Sequence, residues 1–295
     1  MKEIVFISGK GGTGKTSITA AMSYLLGGNC ILADCDVDAA DMHLVTRPQA
    51  ILSEIFFSGV EAKINTSLCS SCARCFQICR FHAINAGGTG FSVDPLSCEG
   101  CGYCFHICPE QAISLPERKV GIFQISQTRF DNILVHAELD IGAENSGKLV
   151  TKVKKEARKL AEKEKINIIL VDGSPGIGCP VISSLAGAGY VVMVTEPSRS
   201  AFHDLQRVHI LLSKFGLPAG CIINKCDLNE KISSEIKDFL VSREIALLAE
   251  IPFSRSFSDA MIAGKTIMET DAENIILKIN NSWDIILKQI SGEDT

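Results

Sequence analysis

The sequence has no surplus of positive charge. In 295 residues, 29 Lys and Arg stand against 34 Asp and Glu, a formal net charge of −5, and the pI is near 5.7. Proteins that bind duplexes carry a basic face, so this balance argues against nucleic acid as a partner. Nor is there an apolar run approaching the roughly 20 residues needed to span a bilayer, and no membrane span is expected. Met1-Lys2 runs straight into an apolar strand, which leaves no room for a signal peptide. Thirteen cysteines without an export signal point to a reducing cytoplasm. The one basic tract, Lys148 to Lys165, alternates with Val153, Ala157 and Leu160 at helical spacing and reads as a solvated helix. Ile275 to Ile290, with Trp283, is amphipathic but ends in Gly-Glu-Asp-Thr, which predicts packing on a sheet rather than membrane attachment.

What is abundant is cysteine, and eight of the thirteen fall into two runs that repeat each other. Cys69, Cys72, Cys75 and Cys79 are followed by Cys98, Cys101, Cys104 and Cys108 at a constant offset of 29 residues, and both runs close on Ala-Ile (Ala83-Ile84, Ala112-Ile113). In a Cys-x₂-Cys-x₂-Cys-x₃-Cys run, three thiolates hold one iron–sulfur cube and the fourth reaches the other. The spacing therefore predicts one [4Fe-4S] cluster on Cys69, Cys72, Cys75 and Cys108, and a second on Cys98, Cys101, Cys104 and Cys79. Structural zinc sites prefer cysteine pairs separated by a dozen or more residues, and a disulfide framework belongs to secreted chains. Residues 61–118 resemble a bacterial-type two-cluster ferredoxin. Arg80 departs from that pattern, which often has Pro after the fourth Cys; Pro109 keeps it. So short a piece needs its metals as staples. Ile78, Ile84, Ile107, Ile113, Phe76 and Phe105 are expected to wrap the clusters.

The chain also opens on a second motif. The β-branched run Glu3–Ser8 reads as a buried parallel strand. It is followed without a gap by Gly9-Lys10-Gly11-Gly12-Thr13-Gly14-Lys15-Thr16-Ser17, then by a helical pattern through Ile18, Ala21, Met22, Leu25 and Leu26. Strand, glycine loop and helix are the context in which backbone N–H groups wrap phosphates at a helix N-terminus. Lys15 would reach the β- and γ-phosphates and Thr16 would ligate Mg²⁺. The extra Lys10 makes the loop resemble the deviant Walker A of the MinD/ParA/Mrp ATPases and nitrogenase iron protein. That resemblance implies an ATP-sandwiched homodimer or paralogous heterodimer in which Lys10 reaches the partner's phosphates, supplying positive charge beside the transferring phosphoryl group.

The same resemblance assigns further residues. Asp36 would orient the attacking water, with Asp34 and Asp38 near the Mg²⁺ in a switch I after the strand beginning at Cys30. Ile166–Asp172 looks like Walker B merging into a Gly/Pro-rich switch II, with Asp172 holding a Mg²⁺-bound water. Asn224 matches the adenine-contacting asparagine, and Pro252-Phe253 the loop over the base. Of the cysteines outside the runs, Cys30, Cys35, Cys221 and Cys226 read as core residues. Cys179 lies in the register of a bridging-cluster ligand but has no second thiol partner between Leu134 and Val150.

Strands alternating with amphipathic helices predict a doubly wound, mainly parallel α/β sheet. The expected organisation is a P-loop ATPase domain of residues 1–60 and 119–295, interrupted by a small α+β ferredoxin domain at 61–118. The whole looks like the MinD-superfamily ATPases containing an inserted ferredoxin domain, of which the stretch starting at Glu144 is also typical. The implied function is a Mg²⁺-dependent ATPase that assists assembly or delivery of an iron–sulfur or other metal cluster to a client. Alternatives are an ATP-gated electron donor to a redox partner and a positioning ATPase of the MinD/ParA kind.

Overall fold

The computed structural model describes residues 1–88, 90–143 and 146–291; Glu144, Asn145 and the acidic tail at 292–295 lie outside the described residues. The elements run β1 (Lys2–Ile7), α1 (Lys15–Leu26), β2 (Cys30–Asp34), α2 (Met42–Thr46), β3 (Gln49–Val60), β4 (Lys63–Ile64), α3 (Arg74–Ile78), β5 (Ile84–Gly87), β6 (Gly90–Val93), α4 (Tyr103–Ile107), β7 (Ile113–Ser114) and β8 (Glu117–Gln127). They continue with β9 (Ile133–Leu139), α5 (Ser146–Glu164), β10 (Ile168–Asp172), α6 (Cys179–Leu185), β11 (Tyr190–Thr195), α7 (Arg199–Phe215), β12 (Ala219–Asn224), α8 (Glu230–Ser242), β13 (Ala246–Ile251), α9 (Ser256–Ile262) and α10 (Glu273–Ser291).

Two compact units emerge. One comprises Met1–Glu54, Phe123–Glu138 and Ser146–Thr295; the other comprises Ile55–Ile122 and Leu139–Asn145. The large sheet has the order β13-β12-β11-β1-β10-β2-β9-β8-β3. From β13 across to β9 every neighbouring pair is parallel. Strand β1 sits between β10 and β11, so the winding of the sheet changes direction at its carboxyl end, where open α/β sheets bind their ligands.

Covering helices on both faces explain why the strands read as continuous apolar runs. Ile4, Val5, Phe6 and Ile7 of β1 all have zero exposure. Ile4 and Phe6 join Leu32, Leu170, Val192 and Ile222 in a core closed by Ile18 and Met22 of α1 and by Ile279, Trp283 and Ile286 of α10. Successive strand residues point to opposite faces, and α5, α6 and α7 pack against β2, β10, β1 and β11. Helix α5 departs from the solvated helix expected of its composition. Lys154 is buried on its inner face, paired with Glu3 at 2.9 Å and donating to the carbonyls of Ser184 and Ala186. A buried ammonium is tolerable when all its protons have acceptors.

The smaller unit reproduces its sequence repeat in the backbone. Helices α3 and α4 are single turns capped by Ala73 (φ 60°) and Gly102 (φ 74°), and Ser71 (φ 56°) matches Gly100 (φ 63°) as His82 (φ 53°) matches Gln111 (φ 50°). Four of these six left-handed residues are not glycine, a conformation that L-residues adopt rarely. Two short antiparallel ladders, β4–β7 and β5–β6, flank the turns. The apolar core here is small: Ala62, Cys75, Ala83, Ile84, Cys98 and Ile113. Ile84 and Ile113 are therefore inside as expected, whereas Phe76, Phe105 and Ile78 are 40–46% exposed. Phe76 and Phe105 immediately follow Cys75 and Cys104, and one residue along a helix turns the side chain about 100° away from the thiol it follows.

Candidate functional site

Every parallel strand near the winding reversal ends in a residue of one cluster. β1 runs into the glycine loop, β2 ends at Asp34, β10 at Asp172, β11 is followed by Glu196, and β12 ends at Asn224. The register places Asp172 opposite both Phe6 and Asp34. The segments that follow β2 and β10 are stitched to one another and to the end of β1: Cys35 N donates to Asp172 O at 2.8 Å, Gly176 N to Ser8 O at 2.8 Å, and Ser174 Oγ to Cys35 O at 2.7 Å.

Lys15 opens α1 and is 5% exposed. Its ammonium stands 2.8 Å from Asp172 Oδ1 and 3.4 Å from Asp36 Oδ2. Burial disfavours its charge, but Asp172, Asp36 and Asp34 together outweigh that and hold its pKa above the ordinary value. Thr16 Oγ1 donates to Asp172 Oδ2 at 2.7 Å and Thr19 Oγ1 to Asp172 Oδ1 at 3.0 Å. Asp34 is fully buried, and burial with the neighbouring Asp172 charge pushes its pKa well up. Asp36 is raised to about 6, first by burial, against the pull of Lys15. Asp172, Asp36 and Asp34 thus act on one ammonium beside a threonine hydroxyl. Asp38 is exposed and is felt here only through its charge on Asp36.

Loop geometry explains its glycines at one position above all. Gly14 has φ 91°, and a Cβ there would lie 2.4 Å from Asn224 Nδ2. Asn224 Nδ2 in turn donates to Thr13 O at 2.8 Å. Thr13 Oγ1 is buried without a hydrogen-bond partner among the described residues, an unmet polar atom inside the loop that phosphate oxygens would satisfy. Beyond the loop a cavity of about 300 Å³ is lined by Gly12, Gly14, Ser17, Asn224, Lys225, Phe253, Phe257 and Met261, among others. Phe253 and Asn224 are where the base was expected to lie; Pro252 precedes Phe253 but is not in the lining. Asp227 Oδ1 accepts from Phe253 N at 2.6 Å and so holds the end of that loop. Gly9 and Gly11 complete the loop backbone.

Lys10 does not point freely into solvent. Its Nζ lies 2.6 Å from Glu196 Oε1, and Lys225 Nζ lies 2.7 Å from Glu196 Oε2. Glu196, Phe257 and Met261 carry no motif in the sequence and are brought in by the fold. The one signal available for Glu196 was its place directly after an apolar strand, the position Asp34 and Asp172 also hold.

In the smaller unit, the eight run cysteines are free thiols that divide between two cavities. One is lined by Cys69, Cys72, Cys75 and Cys108, the other by Cys79, Cys98, Cys101 and Cys104. Each set takes three thiols from one run and the fourth from the other. Burial raises the Cys75 pKa, with the nearby Cys69 and Cys108 charges adding to it; Cys104 is raised likewise by burial and by Cys98 and Cys101. Ala83 N donates to Cys79 Sγ at 3.4 Å and Ala112 N to Cys108 Sγ at 3.3 Å. Among the described residues no three or more His, Cys, Asp or Glu are grouped to hold a single metal ion. Outside the runs, Cys30, Cys35 and Cys221 are buried, Cys226 is partly buried, and Cys179 is exposed at the start of α6. Burial pushes the Cys30 thiol up to about 12 and raises Cys35 and Cys221 as well, which makes them inert core residues.

A doubly wound sheet with this loop, a buried lysine and two strand-end carboxylates defines a P-loop nucleotide-binding protein. More narrowly, the chain belongs to the CobQ/CobB/MinD/ParA nucleotide-binding domain family, whose model matches residues 4–267, and it is an ATPase of the MinD/ParA type. Its relatives include the uncharacterized protein MJ0578 of Methanocaldococcus jannaschii, 33% identical over 231 residues, covering 77% of this chain and 79% of that one. A second protein of the same organism, uncharacterized protein MJ0579, is 24% identical over 295 residues and covers 97% and 99%. The structure of the septum site-determining protein MinD complexed with Mg-ADP from Pyrococcus horikoshii matches with a TM-score of 0.58 at 20% identity, covering 98% of both chains; that likeness is one of fold. Among the described residues no helix is long and apolar enough to cross a membrane.

Proposed function

We propose that this ATPase couples nucleotide-driven rearrangement to two resident [4Fe-4S] clusters and acts on a metallocluster-carrying client, in the assembly or delivery of its metal centre. The observation that carries the reading is the division of eight free thiols between two cavities in the crossed pattern. Cys69, Cys72, Cys75 and Cys108 would hold one cluster and Cys98, Cys101, Cys104 and Cys79 the other, in a ferredoxin domain at 61–118 inserted into the ATPase domain of 1–60 and 119–295. Bound there, the clusters supply one-electron chemistry. The N–H···S bonds at Cys79 and Cys108 would favour the thiolate form at the two crossing ligands.

In the ATPase half, the loop amides and Thr13 Oγ1 bind the triphosphate, and Lys15 neutralises its β- and γ-oxygens. Thr16, Asp34, Asp38 and Asp172 are the residues that would hold Mg²⁺. Asp36 orients a water for attack on the γ-phosphorus, releasing ADP and phosphate, and Lys10 serves the phosphates of a second subunit. The Mg-ADP held by the Pyrococcus relative supports this use of the site. Two distinct relatives within one organism make a paralogous heterodimer as reasonable as a homodimer.

A second reading, an ATP-gated electron donor, is favoured by the completeness of both thiol sets, since four protein ligands retain a cluster rather than release it. One experiment separates the two. Anaerobically purified protein is loaded with ⁵⁷Fe and mixed with apo-ferredoxin, or reduced and mixed with oxidised ferredoxin, with and without MgATP. ATP-dependent movement of ⁵⁷Fe supports delivery, and ATP-dependent electron transfer with iron retained supports the second reading. No dependence on ATP in either arm sinks both.

A further inference from the structure

Helix α9 (Ser256–Ile262) lends Phe257, Ser258, Met261 and Ile262 to the cavity beyond the phosphate loop. Short helices ordinarily keep their place by burying an apolar face. Of the seven residues of α9 only Ala260 is buried, so the core does little to fix this wall. Two arginines at its carboxyl end do more. Arg47 Nη2 donates to Ala263 O at 2.5 Å. Arg129 Nε donates to Val45 O at 3.0 Å and its Nη2 to Gly264 O at 3.2 Å, while Nη1 and Nη2 meet the two oxygens of Glu269 at 2.7 and 2.5 Å. Gly264 has φ 64°, and a Cβ there would lie 2.3 Å from Arg47 Nη2, so the approach needs glycine. Glu269 is itself fixed, since Oε2 also accepts from Thr266 N at 2.8 Å in a capping box on the 3₁₀ turn Ile267–Glu269. Burial opposes its charge, but hydrogen bonds from Arg129 and Thr266 outweigh that and hold its pKa below the ordinary value. The Arg129 and Glu269 side chains are 28% and 16% exposed, so this bidentate pair escapes part of the screening that weakens surface ion pairs.

We propose that Arg129 is a positioning residue for the nucleotide: together with Arg47 it fastens α9, and with it one wall of the base cavity, to α2, the helix that follows the strand-end carboxylates. Helix α2 is a firm anchor, because Met42 and Val45 lie in the core with Ile18 and Met22 of α1. Arg129 holds both sides at once. Val45 O belongs to α2, and the Arg129 amide also donates to Thr46 O at 3.2 Å; Gly264 O and Glu269 belong to the segment after α9. A guanidinium serves such a set of acceptors from one rigid fork, and the compact ammonium of a lysine does not. The inference rests on the reading that this cavity takes the nucleotide base, and it does not depend on what the thiol cavities hold.

The test measures KM and kcat for MgATP, and Ki for inorganic triphosphate, on the full chain of wild type, Arg129→Lys, Glu269→Gln, their double variant and Met261→Trp. Inorganic triphosphate uses the loop but carries no base, so it reports the phosphate site alone. Arg129→Lys should raise KM about fivefold, with kcat moving less than about twofold and Ki unchanged, the pattern of binding lost equally from ground and transition states. Glu269→Gln should act in the same direction, and the double variant should be no worse than Arg129→Lys, because both residues work through one tie. Met261→Trp fills the cavity and checks the reading beneath: it should raise KM and leave Ki alone. An unchanged KM there would remove the base from this cavity and the proposal with it. A raised KM in Met261→Trp beside a wild-type KM in Arg129→Lys overturns the tie alone. So does an equal rise of KM and Ki in Arg129→Lys, which marks a general loosening of the fold. Should Arg129→Lys fail to fold, Glu269→Gln decides by the same two constants.

Discussion

Replacing Lys15 by Ala removes the ammonium that faces Asp172 and Asp36 beside Asp34, and the consequences for stability and for binding separate cleanly. Asp172 has no exposure, Asp34 has 1% and Asp36 has 9%, so none can recover bulk solvation when the ammonium goes. Breaking a buried pair by deleting one partner costs about 3–5 kcal/mol, a large share of a total stability of roughly 5–15 kcal/mol. The carboxylates can relieve this by taking up protons. Asp34 already titrates high through burial and Asp172, and Asp36 at about 6. The stability gap between Lys15→Ala and wild type should therefore be widest near pH 8 and shrink by roughly half towards pH 5. Trp283 is the only tryptophan and sits 6% exposed in the α1/α10 core, so its fluorescence in urea follows the unit that carries the site. Nucleotide binding should be lost in the variant and stay lost at both pH values, since the β- and γ-phosphates lose the counter-charge that Lys15 would supply directly. A gap below about 1 kcal/mol at pH 8, or one that does not narrow with acid, would refute the electrostatic account of this cluster.

Asp36→Ala should still bind ATP and trap it, because Lys15 and the loop amides remain while the water loses its orienting carboxylate; wild-type turnover in that variant would remove Asp36 from the mechanism. Iron and sulfide in anaerobically purified protein should each come to about eight per chain, the content of two cubes, and Cys108→Ser should perturb the EPR signal of the cluster on Cys69, Cys72 and Cys75 more than that of the other. An equal effect on both signals would contradict the crossed ligand sets. His136 is held down to about 4, first by burial and then by His43, and Ser126 Oγ lies 3.0 Å from its Nε2. Its folded pKa lies below the ordinary histidine value, so the unfolded chain binds the proton first. The stabilisation is complete above pH 6.5 and is lost as pH falls towards 4, by at most about 3 kcal/mol; His136→Asn should flatten that part of the pH–stability curve, and an unflattened curve would rule His136 out as its cause.

Much of the site was legible because its chemistry is local in sequence. The loop from Gly9 to Ser17 is contiguous, its strand and helix adjoin it, and Asp34 and Asp172 each terminate a run too apolar to be anything but a buried strand. The spacing of the two cysteine runs also anticipates how the thiols divide between two cavities, three from one run and the fourth from the other. Other features are non-local. Glu196 belongs to the site only because β11 lies beside β1, and Lys225 only because β12 follows β11. Phe257 and Met261 enter through a helix whose spacing announces a core face rather than a base pocket. Lys154 looked like one of many solvated lysines until the fold set Glu3 and two carbonyls around it.

The sequence by itself therefore determined the chemistry that short spacing encodes: a phosphate loop, carboxylates at strand ends, two sets of thiols and a parallel α/β frame. Hydrophobic period, glycine placement and cysteine spacing act over a few residues, and they hold in any tertiary context. Tertiary structure alone decided which charges meet. The strand order β11-β1-β10-β2 brings Glu196, Lys10, Lys15, Asp172 and Asp34 to one edge from across the chain. Burial there, which no local pattern reports, raises Asp34 and Asp36, while the carboxylates keep Lys15 charged against it and Glu196 holds Lys10. Strand order is set by the packing of both sheet faces at once, and a charge takes its energy from the neighbours that packing supplies.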